Sequence, residues 1–307
     1  MTDPKLSKPV AWTLFFILAL TWGSSFILMK RGLESFSYSQ ISFIRIASAW
    51  IFTAVLAFRH YRYFKRKHLW PVIAVGLFGN AIPYTLFPLA VTRLDSSLVG
   101  ILNSMVPLFT LIIGLVWFGI RVRWLSVLGI LLGLGGAVWL LVPDASVDAD
   151  RLLYGVFPIL ATICYAISIN VINTRLTEVR PVAITLFSLT AVGPLSGAYV
   201  LSTDFVQIMQ TDPQAWLHLF YVVLLGVLGS SLAIVIFSYL IKGSSSLFAA
   251  SVTYLIPVVA LFWGYADGEA IGWDHLGGML AILSGIYLIN KKGSPAARIR
   301  RQQEEAA

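Results

Sequence analysis

Apolar residues run along this chain in long blocks separated by short polar or charged interruptions. Crossing a bilayer as a helix takes about 20 residues. Blocks of that size fall at residues 10–30, 38–58, 69–91, 96–118 and 123–142, and five more at 153–173, 181–202, 216–241, 246–265 and 272–290. A membrane β-barrel would instead show alternating segments of about ten residues, and the blocks do not alternate. The pattern predicts an all-α integral membrane protein with ten transmembrane helices. The first block exceeds the apolar stretch of a secretory signal and has a relative in the sixth, so it reads as a mature helix.

Two blocks contain unexpected residues. "GLFGNAIPYTLF" from Gly76 and "GVLGSSLAIVIF" from Gly226 place glycines, an asparagine, a proline and serines where an oily helix would serve. A shift of 150 residues superposes Gly76 on Gly226, Gly79 on Gly229, Phe87 on Phe237, Ser96 on Ser246, Pro107 on Pro257, Leu111 on Leu261 and Gly114 on Gly264. "TWGSS" at Thr21 also aligns with "CYAIS" at Cys164, and the spacing of Gly129 and Gly136 repeats in Gly278 and Gly285. Each copy holds an odd number of spans, so the second enters the membrane from the opposite side. The expected architecture is two inverted five-helix repeats, 10–142 and 153–290, with a short N-terminus at 1–9 and a disordered basic tail at 291–307. Inverted repeats of this kind build transporters around a site near the midplane.

Composition agrees: 58% of the 307 residues are hydrophobic and 12% charged, against about 25% charged in a soluble domain. The net charge of +8 is a topology signal. Lys5, Lys8, the run "RHYRYFKRKH", Arg121, Arg123, Arg175, Arg180, Lys242 and the tail fall on one side. Only Lys30, Arg31, Arg93 and Arg151 fall on the other, together with Asp144, Asp148, Asp150, Asp204, Asp212, Asp267, Glu269 and Asp274. The positive-inside rule then places both termini in the cytoplasm. The basic loops suit the headgroups of the lipid bilayer, and no nucleic-acid partner is expected. The single cysteine, Cys164, excludes an intramolecular disulfide.

The ordered pieces "LTWGSSF", "FIRI", "GLFGNAIPY", "NSMVPLFT" and "LGLGGAVWLL", then "CYAIS", "VTYLIPVVALFWGYADGE" and "LSGIYLIN", resemble the ten-helix drug/metabolite transporter (DMT) superfamily of EamA type. The resemblance covers residues 10 to 290. It implies a 5+5 inverted fold and export of small metabolites, often amino acids, across a bacterial inner membrane. The family commonly has Gly-Glu after helices four and nine. Here Gly268-Glu269 fits, but Gly119 is followed by Ile120.

Polar and helix-breaking residues at bilayer depth mark the candidate pathway, because an amide facing lipid loses hydrogen bonds to water. Asn80 and Asn103, the mid-depth aromatics Trp22 and Tyr165, and Tyr84, Ser230 and Tyr254 are the candidate cavity-lining, substrate-binding residues. For Asn80 the competing reading is a bond to a neighbouring helix, and for Gly76 and Gly79 it is packing. Pro83, Pro107 and Pro257 are hinge candidates. Arg45, the one charged side chain well inside a span, is either a substrate-carboxylate contact or a structural bridge, its burial eased by snorkelling toward the outer face.

Apart from Asp274 at the edge of the last block, no acid falls within a predicted span, which disfavours tight exchange of cationic drugs for protons. There is no G-x-x-x-x-G-K-[ST] loop for ATP. His60, His68, His218 and His275 are isolated and read as solvated at the interface, so no metal, cofactor or catalytic residue is expected. The function expected is a secondary transporter exporting a small-molecule substrate, an amino acid or similar zwitterion, by alternating access. The alternatives are a multidrug or organic-cation efflux permease and, in another class, a non-transporting membrane subunit or intramembrane enzyme. The stripe Gly129, Gly133 and Gly136 suits either a homodimer contact or packing of helix five within its own half.

Overall fold

The computed structural model describes residues 6–118, 124–141, 149–243 and 251–290. Among them every regular element is helical, as lipid requires of a chain that must pair its own backbone groups. Eight helices are long and apolar enough to cross a membrane. They are α1 (Lys8–Gly32), α2 (Tyr38–Tyr63), α3 (Arg66–Val91), α4 (Ser96–Trp117), α5 (Trp124–Leu141), α6 (Ala149–Arg175), α7 (Pro181–Ser202) and α8 (Ala215–Phe237). Two shorter apolar helices follow, α9 (Val252–Ala266) and α10 (Trp273–Ile289). Each coincides with one apolar block of the sequence, and the chain is a multi-pass membrane protein. Residues 1–5, Gly119 to Arg123, Asp144, Asp148, Ser246 and the tail 291–307 lie outside the described residues.

Local chemistry sets the helix starts. Ser37 caps α2 by accepting from the Gln40 N–H at 3.2 Å, while the Gln40 side chain accepts from the Ser37 N–H at 2.9 Å, a reciprocal capping box. Pro181 opens α7, where its missing N–H costs nothing. Trp117, Trp124, Trp216 and Trp273 are exposed, as suits surface that faces lipid.

The helices pack as α5 on α10, α2 on α7, α3 on α6, α8 on α1 and α2, and α9 on the first half of α4. The α5–α10 contact is backbone on backbone. A Cβ at Gly129 would stand 2.6 Å from the Gly285 carbonyl, and one at Gly136 2.9 Å from the Gly278 carbonyl. Gly133 faces Leu108 of α4 instead. Two of the three stripe glycines are therefore covered by the last helix of the same chain, outside their own half. They supply no surface for a second copy.

The charged residues gather at the two ends. Lys30 and Arg31 pair with Asp267, Lys30 with Glu269, and Arg151 with Asp274. The histidines depart from the solvated expectation. His68, His218 and His275 are buried, because each has a carboxylate neighbour: Glu178, Glu34 and Asp274 respectively.

Gly285→Val is expected to push α5 and α10 apart and cost about 1–3 kcal/mol of stability through overpacking. Gly135→Ala, whose added Cβ meets nothing within 4 Å, should be neutral. Thermal unfolding in detergent compares the two; equal midpoints would contradict the backbone contact.

Candidate functional site

Five of the membrane helices break their regular hydrogen-bond ladder, and the breaks converge. In α1 the helix ends at Gly23 and restarts at Ser25. In α4 it ends at Asn103 and restarts at Val106, with 3₁₀-type bonds from the Ser104 and Met105 N–H groups to the Ile101 and Leu102 carbonyls. Pro107 is the cause, since it has no N–H to give to the Asn103 carbonyl. Pro257 acts likewise in α9, where a 3₁₀ turn over Ser251–Tyr254 precedes the helix that starts at Ile256. Both α3 and α8 widen into π turns, over Leu77–Ala81 and Leu225–Leu232. These overlap the starts of the two glycine-bearing stretches that stand out in the sequence. Pro83 follows the first of them.

The irregular segments line a cavity of about 320 Å³. Trp22 and Ser25 reach it from the α1 break, Asn103, Ser104 and Pro107 from the α4 break, Thr253 from α9, and Gly79 and Gly229 from the π turns. Regular helices complete the wall with Arg45, Tyr84, Phe87, Tyr165 and Ser168. Of the residues expected to line a pathway, Trp22, Tyr84, Asn103 and Tyr165 meet here, as do Arg45 and Pro107.

Asn80, Ser230 and Tyr254 do not line it. The Asn80 amide donates to the Val75 carbonyl at 3.3 Å and the Ser188 hydroxyl at 3.4 Å, so it supports the widened turn and bonds to α7. Ser230 accepts from Arg45 Nε at 3.0 Å. Tyr254 packs in the main core, and its neighbour Thr253 takes the lining place. Pro83 and Pro257 are buried beside the cavity. Ser25, Phe87, Ser168 and Met29 line it without having been expected. The signal for the two serines is in the sequence, because aligning "TWGSS" with "CYAIS" pairs Ser25 with Ser168.

Arg45 is the electrostatic centre. It is 6% exposed, so it does not snorkel. Its guanidinium carbon lies 3.6 Å from the centroid of the Tyr84 ring, a cation-π contact that offsets part of the desolvation cost. Among the described residues no carboxylate pairs with it, and the cavity wall includes no acid. The Trp22 indole donates to the Gly229 carbonyl at 3.1 Å, satisfying a backbone acceptor in the α8 π turn.

One turn beyond the cavity-lining Met29, a buried carboxylate closes one end of the bundle. Gly268, at φ +83°, adopts the left-handed conformation that favours glycine and turns Glu269 inward. Glu269 accepts from Lys30 Nζ at 2.8 Å, from the Ser96 N–H and hydroxyl at 2.9 and 2.7 Å, and from the Ser97 N–H at 3.0 Å. It thus sits on the positive end of the α4 dipole. Burial pushes this carboxyl up, but the Lys30 ammonium and the donors of Ser96 and Ser97 outweigh it and hold the group at about 2 against an ordinary 4.5.

Comparison with known proteins gives a consistent picture. The EamA-like transporter family model matches residues 10–142 and again 153–291. The inner membrane transporter YedA of Escherichia coli K12 is 28% identical, over 94% of this chain and 96% of its own. A transporter of Archaeoglobus fulgidus is 25% identical, over 91% and 99%. A probable terminal-alkyne amino-acid exporter of Streptantibioticus cattleyicolor is 24% identical, over 94% and 95%. A solved crystal structure superimposes with a TM-score of 0.59 at 18% identity, over 92% of this chain and 97% of the other, a likeness of fold alone.

Glu269→Gln should lower stability by about 1.5–3 kcal/mol at neutral pH, the worth of hydrogen bonds to a charged group. Because the folded carboxyl titrates below its unfolded value, its contribution is full above pH about 4.5 and is lost as pH falls toward 2. Unfolding curves across pH should show the gap between wild type and variant constant near neutrality and shrinking in acid. A gap that does not change with pH would contradict the charged clamp.

Proposed function

The chain belongs to the EamA-like transporter family, and we propose that it exports small carboxylate-bearing metabolites, amino acids or similar zwitterions, by alternating access. The observation that carries this reading is Arg45: a buried cation that has no carboxylate partner among the described residues, held over Tyr84 on an aromatic-walled cavity whose described lining includes no acid. Such a site is complementary to a carboxylate and repels an organic cation. The volume of about 320 Å³ lies at the lower end of ligand pockets, about 300–1,000 Å³, which favours a metabolite of amino-acid size over a bulky drug. The naming of a relative as a probable amino-acid exporter points the same way, and that of YedA as an inner membrane transporter supports the same location here.

Alternating access is supported by contacts that recur when the proposed inverted halves are exchanged. The family model matches twice, once in each half. Trp22 packs on Phe237 at 5.4 Å between ring centroids, and their counterparts Tyr165 and Phe87 at 5.9 Å. A Cβ at Gly76 would meet the Ser188 carbonyl at 2.8 Å, and one at the equivalent Gly226 the Arg45 carbonyl at 2.6 Å. Asn80 bonds Ser188 as Ser230 bonds Arg45. An inverted repeat accounts for each of these pairs by a twofold axis in the membrane plane, and rocking about such an axis would open the cavity to either side.

Counterflow in proteoliposomes tests the reading with labelled amino acids, their decarboxylated amines and an organic cation. Wild type should exchange an amino acid and discriminate against its amine. Arg45→Gln should reduce that discrimination by about tenfold to a hundredfold, the range for a hydrogen bond to a charged group. Exchange of organic cations with none of amino acids would overturn the substrate class, and channel-like flux without counterflow would overturn the mechanism.

A further inference from the structure

A second cavity, of about 240 Å³, lies at one end of the bundle where α2 runs into α3 and α7 begins. Its wall includes Arg62, Tyr63, Lys65, His68, Glu178 and Arg180, none of which belongs to the central cavity. Arg62 and Arg180 flank the Tyr63 ring, their guanidinium carbons 4.8 and 5.8 Å from its centroid. This sets two cations against one aromatic ring. Neither Lys65 nor Arg180 pairs with a carboxylate among the described residues. The one acid, Glu178, is already engaged by Lys67 and by His68 Nε2 at 2.9 Å, so it leaves the pocket with a positive surplus.

One further feature suits an anion. Arg180 is the N-cap of α7, a helix of 22 residues, so the pocket opens at the positive end of its dipole. Around the pocket Phe58, Tyr61, Phe64, Leu69 and Trp70 are exposed, the mixture of rings and cations found where a bilayer meets water.

We propose that this pocket is a phosphate-binding site, in which Arg62, Lys65 and Arg180 hold the phosphate group of a phosphate ester at the membrane edge. Guanidinium forks match phosphate oxygens in geometry and charge. The phosphate arrives either on an anionic lipid headgroup or on a soluble solute, and the chemistry of capture is the same.

The full-length protein in nanodiscs separates these sources. In one arm, native mass spectrometry measures retention of phosphatidylglycerol over phosphatidylcholine from mixed discs. In the other, thermal unfolding in pure phosphatidylcholine discs is followed against inorganic phosphate, with chloride at matched ionic strength. The double variant Arg62→Gln/Arg180→Gln is compared with Arg59→Gln/Arg66→Gln, which removes the same charge from exposed positions of the same segment outside the pocket. A charge-assisted bond from each pocket guanidinium to phosphate is worth about tenfold, so the first pair should lose about a hundredfold in preference for the anionic lipid, and the second pair, acting through surface charge alone, about fivefold per cation at most. That result supports the site with a lipid source. Stabilisation by phosphate in wild type and the control pair, lost in the pocket pair, supports it with a soluble source. Equal losses in both pairs would make the effect diffuse surface charge and overturn the site. So would a wild type that responds to neither ligand.

Discussion

No backbone N–H or carbonyl can be left unpaired against hydrocarbon, and this constraint shapes everything else in the molecule. Regular helix meets it along Tyr38–Ala57 of α2 and, apart from the donors missing at Pro158 and Pro194, along α6 and α7. Elsewhere the ladder is interrupted, and each interruption is tolerated only because it turns inward to a cavity or to a supporting side chain. The Trp22 indole on the Gly229 carbonyl and the Asn80 amide on the Val75 carbonyl are such supports. The cavity and the broken helices are therefore one feature. Prolines and glycines open the ladder, the opened segments face one another, and the space between them is the cavity that Arg45 and Asn103 line.

Within that frame the two proposed halves are alike in packing and unlike in chemistry. Gly76 and Gly226 make equivalent close approaches to α7 and α2, and the aromatic pairs repeat. Yet Arg45 occupies the place that Ser188 holds in the other half. A binding group on a twofold axis would present the same face in both states of a carrier. One displaced to a single half moves relative to the cavity as the halves rock, so a carboxylate bound to Arg45 changes its exposure with the conformational state.

The spans were legible from sequence because apolar length is a direct consequence of bilayer thickness; the blocks at 69–91 and 181–202 meet α3 and α7 almost residue for residue. The cavity was legible in part. Trp22, Asn103 and Tyr165 follow from depth and from repeat alignment. Asn80 was misplaced because a π turn inserts one residue into the ladder, which rotates the face by about 100° and carries the amide toward Ser188. Thr253 lines the cavity in place of Tyr254 for a similar reason, since a 3₁₀ turn precedes Pro257. Periodicity assumes a uniform helix, and it fails at the residues that interrupt one. The Glu269 clamp was also hidden, because its partners Lys30 and Ser96 are distant in sequence.

The clamp bears on the energetics of the proposed cycle. Opening the end closed by Glu269 separates it from Lys30 or from the start of α4, and each hydrogen bond to a charged group is worth about 1.5–3 kcal/mol when buried. Lys30 keeps a third of its side chain exposed, so water replaces part of what is lost. A few kcal/mol remain. That is the scale on which a ligand must act, since driving an equilibrium from 1:99 to 99:1 takes about 5.5 kcal/mol of differential affinity. A clamp built from several such bonds to a single carboxylate is strong enough to hold the closed state and weak enough for one ion-paired substrate to oppose.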